Sequence, residues 1–315
     1  MKAIARRIAS NRIVGIPATY FLRGIGADRL GRRVSYLCEY VPSIVPIVID
    51  KAHKYRMYRG PLGQMDQGSA TVWLTGWRSF ERPLPDMFAA FAKDAQVVFD
   101  IGANVGFYSL VSTTVSPVAV VHAFEPFPLA QERLEANLRL NQAERRVQIC
   151  RKAMSNESGV AKLFVPLKSA TLIEASCSLN PQFRPQHSEV IEVPVTTLDE
   201  YVREQQLKRL DLIKLDVESH EHRVIQGGLE TLRTLRPVIF LEVLAAADHA
   251  ALEQLRKQLD YRSIQMKKDE LIEMAGLEYN ETSKNQILCP RERIHEVRGK
   301  AEQLGLGFKA AGTGV

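Results

Sequence analysis

From about residue 96 onward, short apolar runs alternate with stretches in which apolar residues recur every three or four positions. Val97-Val98-Phe99-Asp100-Ile101 is apolar apart from one acid and stops at Gly102, the pattern of a strand buried on both faces. Asn104 can cap a helix carried by Phe107, Leu110 and Val111. The same reading predicts strands over 118–124, 147–154, 160–165, 210–217 and 237–244, with 261–266 and 286–289 closing the sheet. Helices are predicted over 129–141, from Thr197, over 224–235 and over 247–259. Residues 168–190 have no period and read as an insertion or loop near a substrate. This order argues for an α/β fold, a doubly wound and mostly parallel sheet whose ligand sits outside the carboxyl ends of the central strands.

Candidate chemistry gathers at those ends. Gly102 and Gly106 follow the first buried strand and open a helix. Small residues there let a ligand approach the backbone, and a helix N-terminus offers free N–H groups. The spacing is not G-x-G-x-x-G, which counts against a dinucleotide and against a nicotinamide-dependent oxidoreductase. Glu125 ends the next strand about twenty residues on, where an acid can accept hydrogen bonds from both ribose hydroxyls. Asp216 and Glu218, two apart, share a face if their strand persists that far, and Glu242 closes a neighbouring apolar strand. A paired acid can orient a nucleophile, hold a metal or act as general base; His220 titrates near neutrality and is a further candidate.

Together these segments resemble the FkbM family of S-adenosylmethionine-dependent methyltransferases. The likeness rests on Asp100 to Tyr108, Phe124-Glu125-Pro126, Thr197-Leu198-Asp199, Lys214 to Glu221 with Gly227, and Leu241-Glu242, and covers roughly residues 78–290. It implies a class I methyltransferase fold, Rossmann-like, with seven strands of which the last is antiparallel, and methyl transfer to a hydroxyl oxygen, commonly on a sugar or other secondary metabolite. It also implies that Gly102, Asn104 and Gly106 line the methionine part of the cofactor, that Glu125 holds the ribose, that Ala153 and Met154 neighbour the adenine, and that Asp100 and Phe107 are further cofactor-binding residues. Asp216 then lies beside sulfonium and substrate, with Glu218, His220 and Glu242 as the other catalytic candidates. Glu81, just before the first strand, could fold over the cofactor. The family usually has glycine where this chain has Ser219, a strained residue if that backbone needs positive φ. Mg²⁺ on Asp216, Glu218 or Glu242 would suit oxygen ligands, but no metal is predicted. A catalytically silent binding protein on the same fold is the alternative from another class.

Composition changes this picture in one respect. Of 315 residues, 45% are hydrophobic and 25% charged, an ordinary globular balance. Yet residues 1–60 hold 12 Lys and Arg against 3 acids, a local net charge of +9, while the whole chain carries only +6. The expected organisation is therefore a basic, helical N-terminal extension over 1–77, a methyltransferase domain over 78–290 and a tail over 291–315. A basic segment of this kind suits an anionic membrane surface, through a short amphipathic helix around residues 4–12. No nucleic-acid signature accompanies it. The four cysteines are far apart without a C-x-x-C pair, which fits a reducing compartment and the cytoplasm. No apolar run approaches the roughly 20 residues of a membrane span. The expected partner is a small-molecule or glycan- or lipid-linked hydroxyl acceptor.

Overall fold

The computed structural model describes residues 42–60, 65–77, 80–166, 172–173, 176–183 and 186–310; the segment around residues 4–12 lies outside them. Nine strands hydrogen-bond into one sheet: β1 (Val97–Ile101), β2 (Val120–Phe124), β3 (Val147–Cys150), β4 (Leu212–Leu215), β5 (Val238–Glu242), β6 (Tyr261–Lys267), β7 (Glu270–Met274), β8 (Asn285–Pro290) and β9 (Gly307–Lys309). Their spatial order is β9-β7-β6-β8-β5-β4-β1-β2-β3. The pairs from β5 to β3 are parallel, whereas β8 runs antiparallel to both β5 and β6. This is the class I methyltransferase arrangement.

The seven expected strands are present, but the count of seven needs correcting to nine. β7 folds back on β6 as a hairpin, and the chain end returns as β9 beside β7. β7 has only two buried positions and β9 only three residues, so neither gives a readable apolar period. The strand order reverses between β1 and β4, the switch point at which open α/β sheets bind ligands.

Alternate side chains of the strands enter two apolar layers. Val98 and Phe240 face one, with Phe88 and Leu110 from the covering helices. Phe99, Ile213 and Leu241 face the other, against Tyr201, Val224 and Leu252. The first layer also takes Val45, Ile47, Tyr55 and Met57 from an antiparallel hairpin (Ile44–Val48 with Lys54–Tyr58), Trp73 from the helix Gln67–Thr75, and Val297 and Ala301 from the helix Ile294–Gln303.

Several elements differ locally from the sequence expectation, each for a visible reason. Gly106, not Asn104, is the N-cap of the helix Phe107–Val115, because the chain makes its turn there with φ 86°. The strand read over 147–154 splits: Ala153–Met154 leaves the main sheet and pairs with Val195–Thr196 in a three-stranded sheet that also holds Gly159–Pro166. The helix read over 224–235 starts earlier and breaks in two, Glu221–Gln226 and Leu229–Leu235. A Cβ at Gly227 would stand 2.2 Å from the Ser155 carbonyl oxygen, so the break lets two backbones approach. Within the region read as a loop over 168–190, Leu172–Ile173 forms a short strand and His187–Thr196 begins.

Candidate functional site

β1, β2 and β4 all stop at one edge of the sheet, and the turns leaving them form a crevice of about 1160 Å³, including its part open to solvent. Tight glycine geometry makes this possible. Gly102 has φ 82°, and a Cβ there would stand 1.9 Å from the Asp216 carbonyl oxygen. Only glycine lets the turn after β1 cross the end of β4 this closely. The N–H groups of Gly102 and Ala103 both donate to the Phe124 carbonyl, and that of Asp216 donates to the Ile101 carbonyl, so three strand ends are tied together.

At one end of the crevice Glu125 is 6% exposed. Its Oε2 accepts from the Asn104 N–H at 2.8 Å and its Oε1 from the Phe127 N–H at 2.9 Å. Burial pushes its pKa up to about 7, although both backbone bonds pull the other way. Each oxygen keeps a further lone pair for a ligand. Pro126, Lys152, Ala153, Met154 and Leu163 wall this end. Asn104 itself has φ 50°, and its buried side-chain Oδ1 has no hydrogen-bond partner among the described residues.

The middle of the crevice is acidic. Asp100 is buried and accepts from Ser109 Oγ at 2.6 Å, and burial pushes its pKa up to about 6. Asp216 is 37% exposed and accepts from Lys214 Nζ at 2.9 Å. β4 ends at Leu215, so Asp216 and Glu218 do not share a strand face; the chain instead turns through Glu218 (φ 55°) and Ser219 (φ 72°), and both acids line the crevice. Burial, then Asp216 and Glu242, raise the pKa of Glu218. Glu81 is exposed at the mouth, yet its carboxyl lies among protein atoms and beside Asp216, and both raise its pKa; Tyr108 donates to it at 3.5 Å.

His220 caps the next helix with its Nε2 2.9 Å from Ser155 Oγ, and burial lowers its pKa to about 4, so it is neutral at physiological pH. Phe107 lines the crevice and stacks on Trp77 at 5.8 Å.

Two expected residues stand apart from the walls. Gly106 packs against Leu134, where a Cβ would come within 2.4 Å of Cδ1. Glu242 is not part of the wall; burial and Asp216 raise its pKa, and Lys214 lowers it. Among the described residues, no three His, Cys, Asp or Glu side chains are grouped to hold a metal ion.

The family model described as the methyltransferase FkbM domain matches residues 100–263, just over half of the chain. The chain belongs to the FkbM methyltransferase family. Over 160 residues it is 32% identical to 31-O-demethyl-FK506 methyltransferase FkbM of Streptomyces tacrolimicus, covering 43% of this chain and 60% of that one. Over 157 residues it is 28% identical to the hexuronic acid methyltransferase AglP of Haloferax volcanii, covering 50% and 59%. The chain thus spans about three-fifths of the length of these curated relatives. The crystal structure of methyltransferase FkbM from Methylobacillus flagellatus KT aligns over 70% of this chain and 53% of that one, at 13% identity and TM-score 0.42.

S-adenosylmethionine is the cofactor that goes with this family, and the crevice fits it on its own evidence. A buried carboxylate with spare lone pairs at one end suits ribose hydroxyls. The Asn104 Oδ1, without a partner among the described residues, and the acids that line the same crevice suit a ligand bearing cationic groups.

Lys214 is the site residue that sequence reasoning did not single out. It is 1% exposed, on a strand whose four positions are all buried. The available signal was its place inside Leu212-Ile213-Lys214-Leu215, since a cation in an apolar core strand is costly unless paired.

Proposed function

We propose that this protein is an S-adenosylmethionine-dependent O-methyltransferase acting on a hydroxyl of a glycan, glycolipid or secondary metabolite. The observation that carries the reading is one continuous crevice lined by both Glu125 and the Asp216–Lys214 pair. S-adenosylmethionine, when bound, would supply an electrophilic methyl group for the acceptor oxygen and leave as the neutral thioether.

Glu125 holds the ribose and Asn104 Oδ1 accepts from the ammonium, while Ala153 and Met154 flank the adenine. Asp100, braced by Ser109, keeps the turn after β1 in place. Asp216 orients the acceptor hydroxyl and takes its proton as attack proceeds, since it combines exposure with a fixed position. Glu218, with its raised pKa, keeps its proton near neutrality and donates to the acceptor. Neutral His220 steadies the turn through Ser155. Much of the rate comes from holding donor and acceptor in line.

Contact with an anionic membrane through residues 1–60 belongs to the same reading. The outer face of the hairpin supports it, because Ile44 and Val48, each 46% exposed, lie opposite Tyr58 and Lys54 in register. Among the described residues no helix is long and apolar enough to cross a membrane.

Mass spectrometry of glycans and lipids from cells with and without the protein tests the function. A methyl difference on one hydroxyl-bearing species supports it. Identical profiles, together with no methyl transfer from labelled S-adenosylmethionine to those extracts by the purified protein, would overturn it.

A further inference from the structure

The turn after β4 carries Asp216 and Glu218, and its backbone has left the sheet ladder. β4 ends at Leu215, and the chain then passes through two left-handed residues, Glu218 at φ 55° and Ser219 at φ 72°. Residues with a Cβ occupy that region at a cost and stay there only where their surroundings hold them. Glu221 Oε1 takes up the N–H groups of Val217 and Ser219. The carbonyl groups of Glu218 and Ser219, past the end of the strand, need donors of their own. Those donors come from residues 176–180, within the stretch that shows no period in the sequence. Buried Ser178 donates through its Oγ to the Glu218 carbonyl at 2.7 Å, and the same oxygen accepts from the Asn180 N–H at 2.9 Å. Asn180 Nδ2 donates to the carbonyl groups of Ser219 at 3.2 Å and of Ala246, beyond β5, at 3.4 Å, while its Oδ1 accepts from the Gln182 N–H at 3.0 Å. The Ser176 hydroxyl hydrogen-bonds the Glu218 carboxyl itself. The stretch is anchored in turn on the strand Gly159–Pro166, where Phe164 and Ser178 exchange both backbone hydrogen bonds, at 2.9 and 3.2 Å. Cys177, Ser178 and Leu179 line the crevice together with Glu218.

We infer that residues 176–180 form a strap in which Ser178 and Asn180 are positioning residues: they hold Glu218 and Ser219 in the left-handed form and so fix the Glu218 carboxyl in the crevice for the methyl acceptor. This rests on the methyltransferase reading. Neither side chain touches the reacting atoms in this scheme; both act through the backbone of the turn. Without them the two carbonyl groups lose these donors, and the turn relaxes towards ordinary φ and carries the carboxyl with it. A misplacement of about 1 Å can cost about 100-fold in rate. The ribose end of the cofactor is held elsewhere, by Glu125 and the turn after β1, so affinity for S-adenosylmethionine stays close to that of wild type.

The test compares wild type with Ser178→Ala and Asn180→Asp, each checked for its fold by circular dichroism. Ser178→Ala removes the donor to Glu218. Asn180→Asp keeps the shape and the oxygen that Gln182 uses, but its carboxylate has no donor for Ser219. Transfer of labelled methyl from S-adenosylmethionine to glycan and lipid extracts of cells lacking the protein gives the rate at saturating cofactor and the KM for cofactor; calorimetry gives the cofactor affinity. The rate should fall at least about 10-fold in each variant, with KM and affinity for the cofactor within about threefold of wild type. A strap that only stabilises the fold would lower Tm and leave the rate of the folded variants unchanged, and that result overturns the proposal. A loss of cofactor affinity as large as the loss of rate overturns it as well, because the strap would then shape the cofactor site.

Should Ser178→Ala not fold, Asn180→Asp decides by the same readings. If wild type itself transfers no methyl to the extracts, the methyltransferase reading falls and takes this inference with it. If wild type is active and the variants match its rate, only the inference falls.

Discussion

Replacing Glu221 by Gln isolates one buried carboxyl in the loop that carries the acids of the crevice. Glu221 is fully buried at the start of the helix Glu221–Gln226. Its Oε1 accepts from the N–H groups of Val217 and Ser219 at 3.3 Å each, and its Oε2 has no partner among the described residues. Burial, the largest influence, pushes its pKa from the ordinary 4.5 up to about 8. The unfolded chain keeps the ordinary value, so between these limits the folded protein holds a proton that the unfolded chain has released. Stability from this group is therefore whole below pH 4.5 and is lost as pH rises through 8. Over that span of about 3.5 pH units, at about 1.4 kcal/mol each, the loss is on the order of 4–5 kcal/mol. Gln has nearly the shape of the protonated acid and no such slope. Urea unfolding of both proteins at several values between pH 4.5 and 9 reads the difference directly. Relative to its position at pH 4.5, the variant should gain about 3 kcal/mol on wild type by pH 7 and the full amount by pH 9. Parallel curves would mean that Glu221 is ionised inside the fold, and would refute the reasoning.

Other expected outcomes concern the same turns. Ser219→Gly should relieve a φ of 72° and remove a buried hydroxyl that has no partner among the described residues. It should stabilise the protein by about 1 kcal/mol, seen as a rise of about 2 °C or more in Tm; a lower Tm would show that the hydroxyl has a stabilising contact. Gly102→Ala would drive a Cβ to 1.9 Å from the Asp216 carbonyl oxygen. It should cost about 2 kcal/mol or more in denaturant unfolding, and a change within about 0.5 kcal/mol, the usual range for a neutral surface substitution, would contradict the close approach of β1 and β4.

The sheet was legible where physics makes sequence redundant. β1, β4 and β5 are buried on both faces and so read as continuous apolar runs, and each ends at a glycine or an acid that marks the functional edge. Glu125 was legible because a charge directly after such a run has little reason to be there unless it is used. The limits are equally physical. β9 has three residues and cannot display a period. The end of β4 was misjudged because Asp216, Val217 and Glu218 keep an alternating pattern although the backbone has already left the strand. Lys214 was passed over because its partner Asp216 lies two residues on, a spacing that says nothing until the strand ends between them and the side chains meet.

In the proposed function the crevice binds S-adenosylmethionine through the carboxyl group of Glu125. Calorimetric titration of the cofactor into wild type and Glu125→Ala, with circular dichroism confirming that both are folded, tests it most directly. Wild type should bind saturably, and the affinity should be at least about 10-fold lower in the variant, the loss of roughly 1.4 kcal/mol or more that follows from removing a hydrogen-bonded carboxyl group. No binding by wild type at millimolar cofactor, or equal affinity in the two proteins, would contradict it.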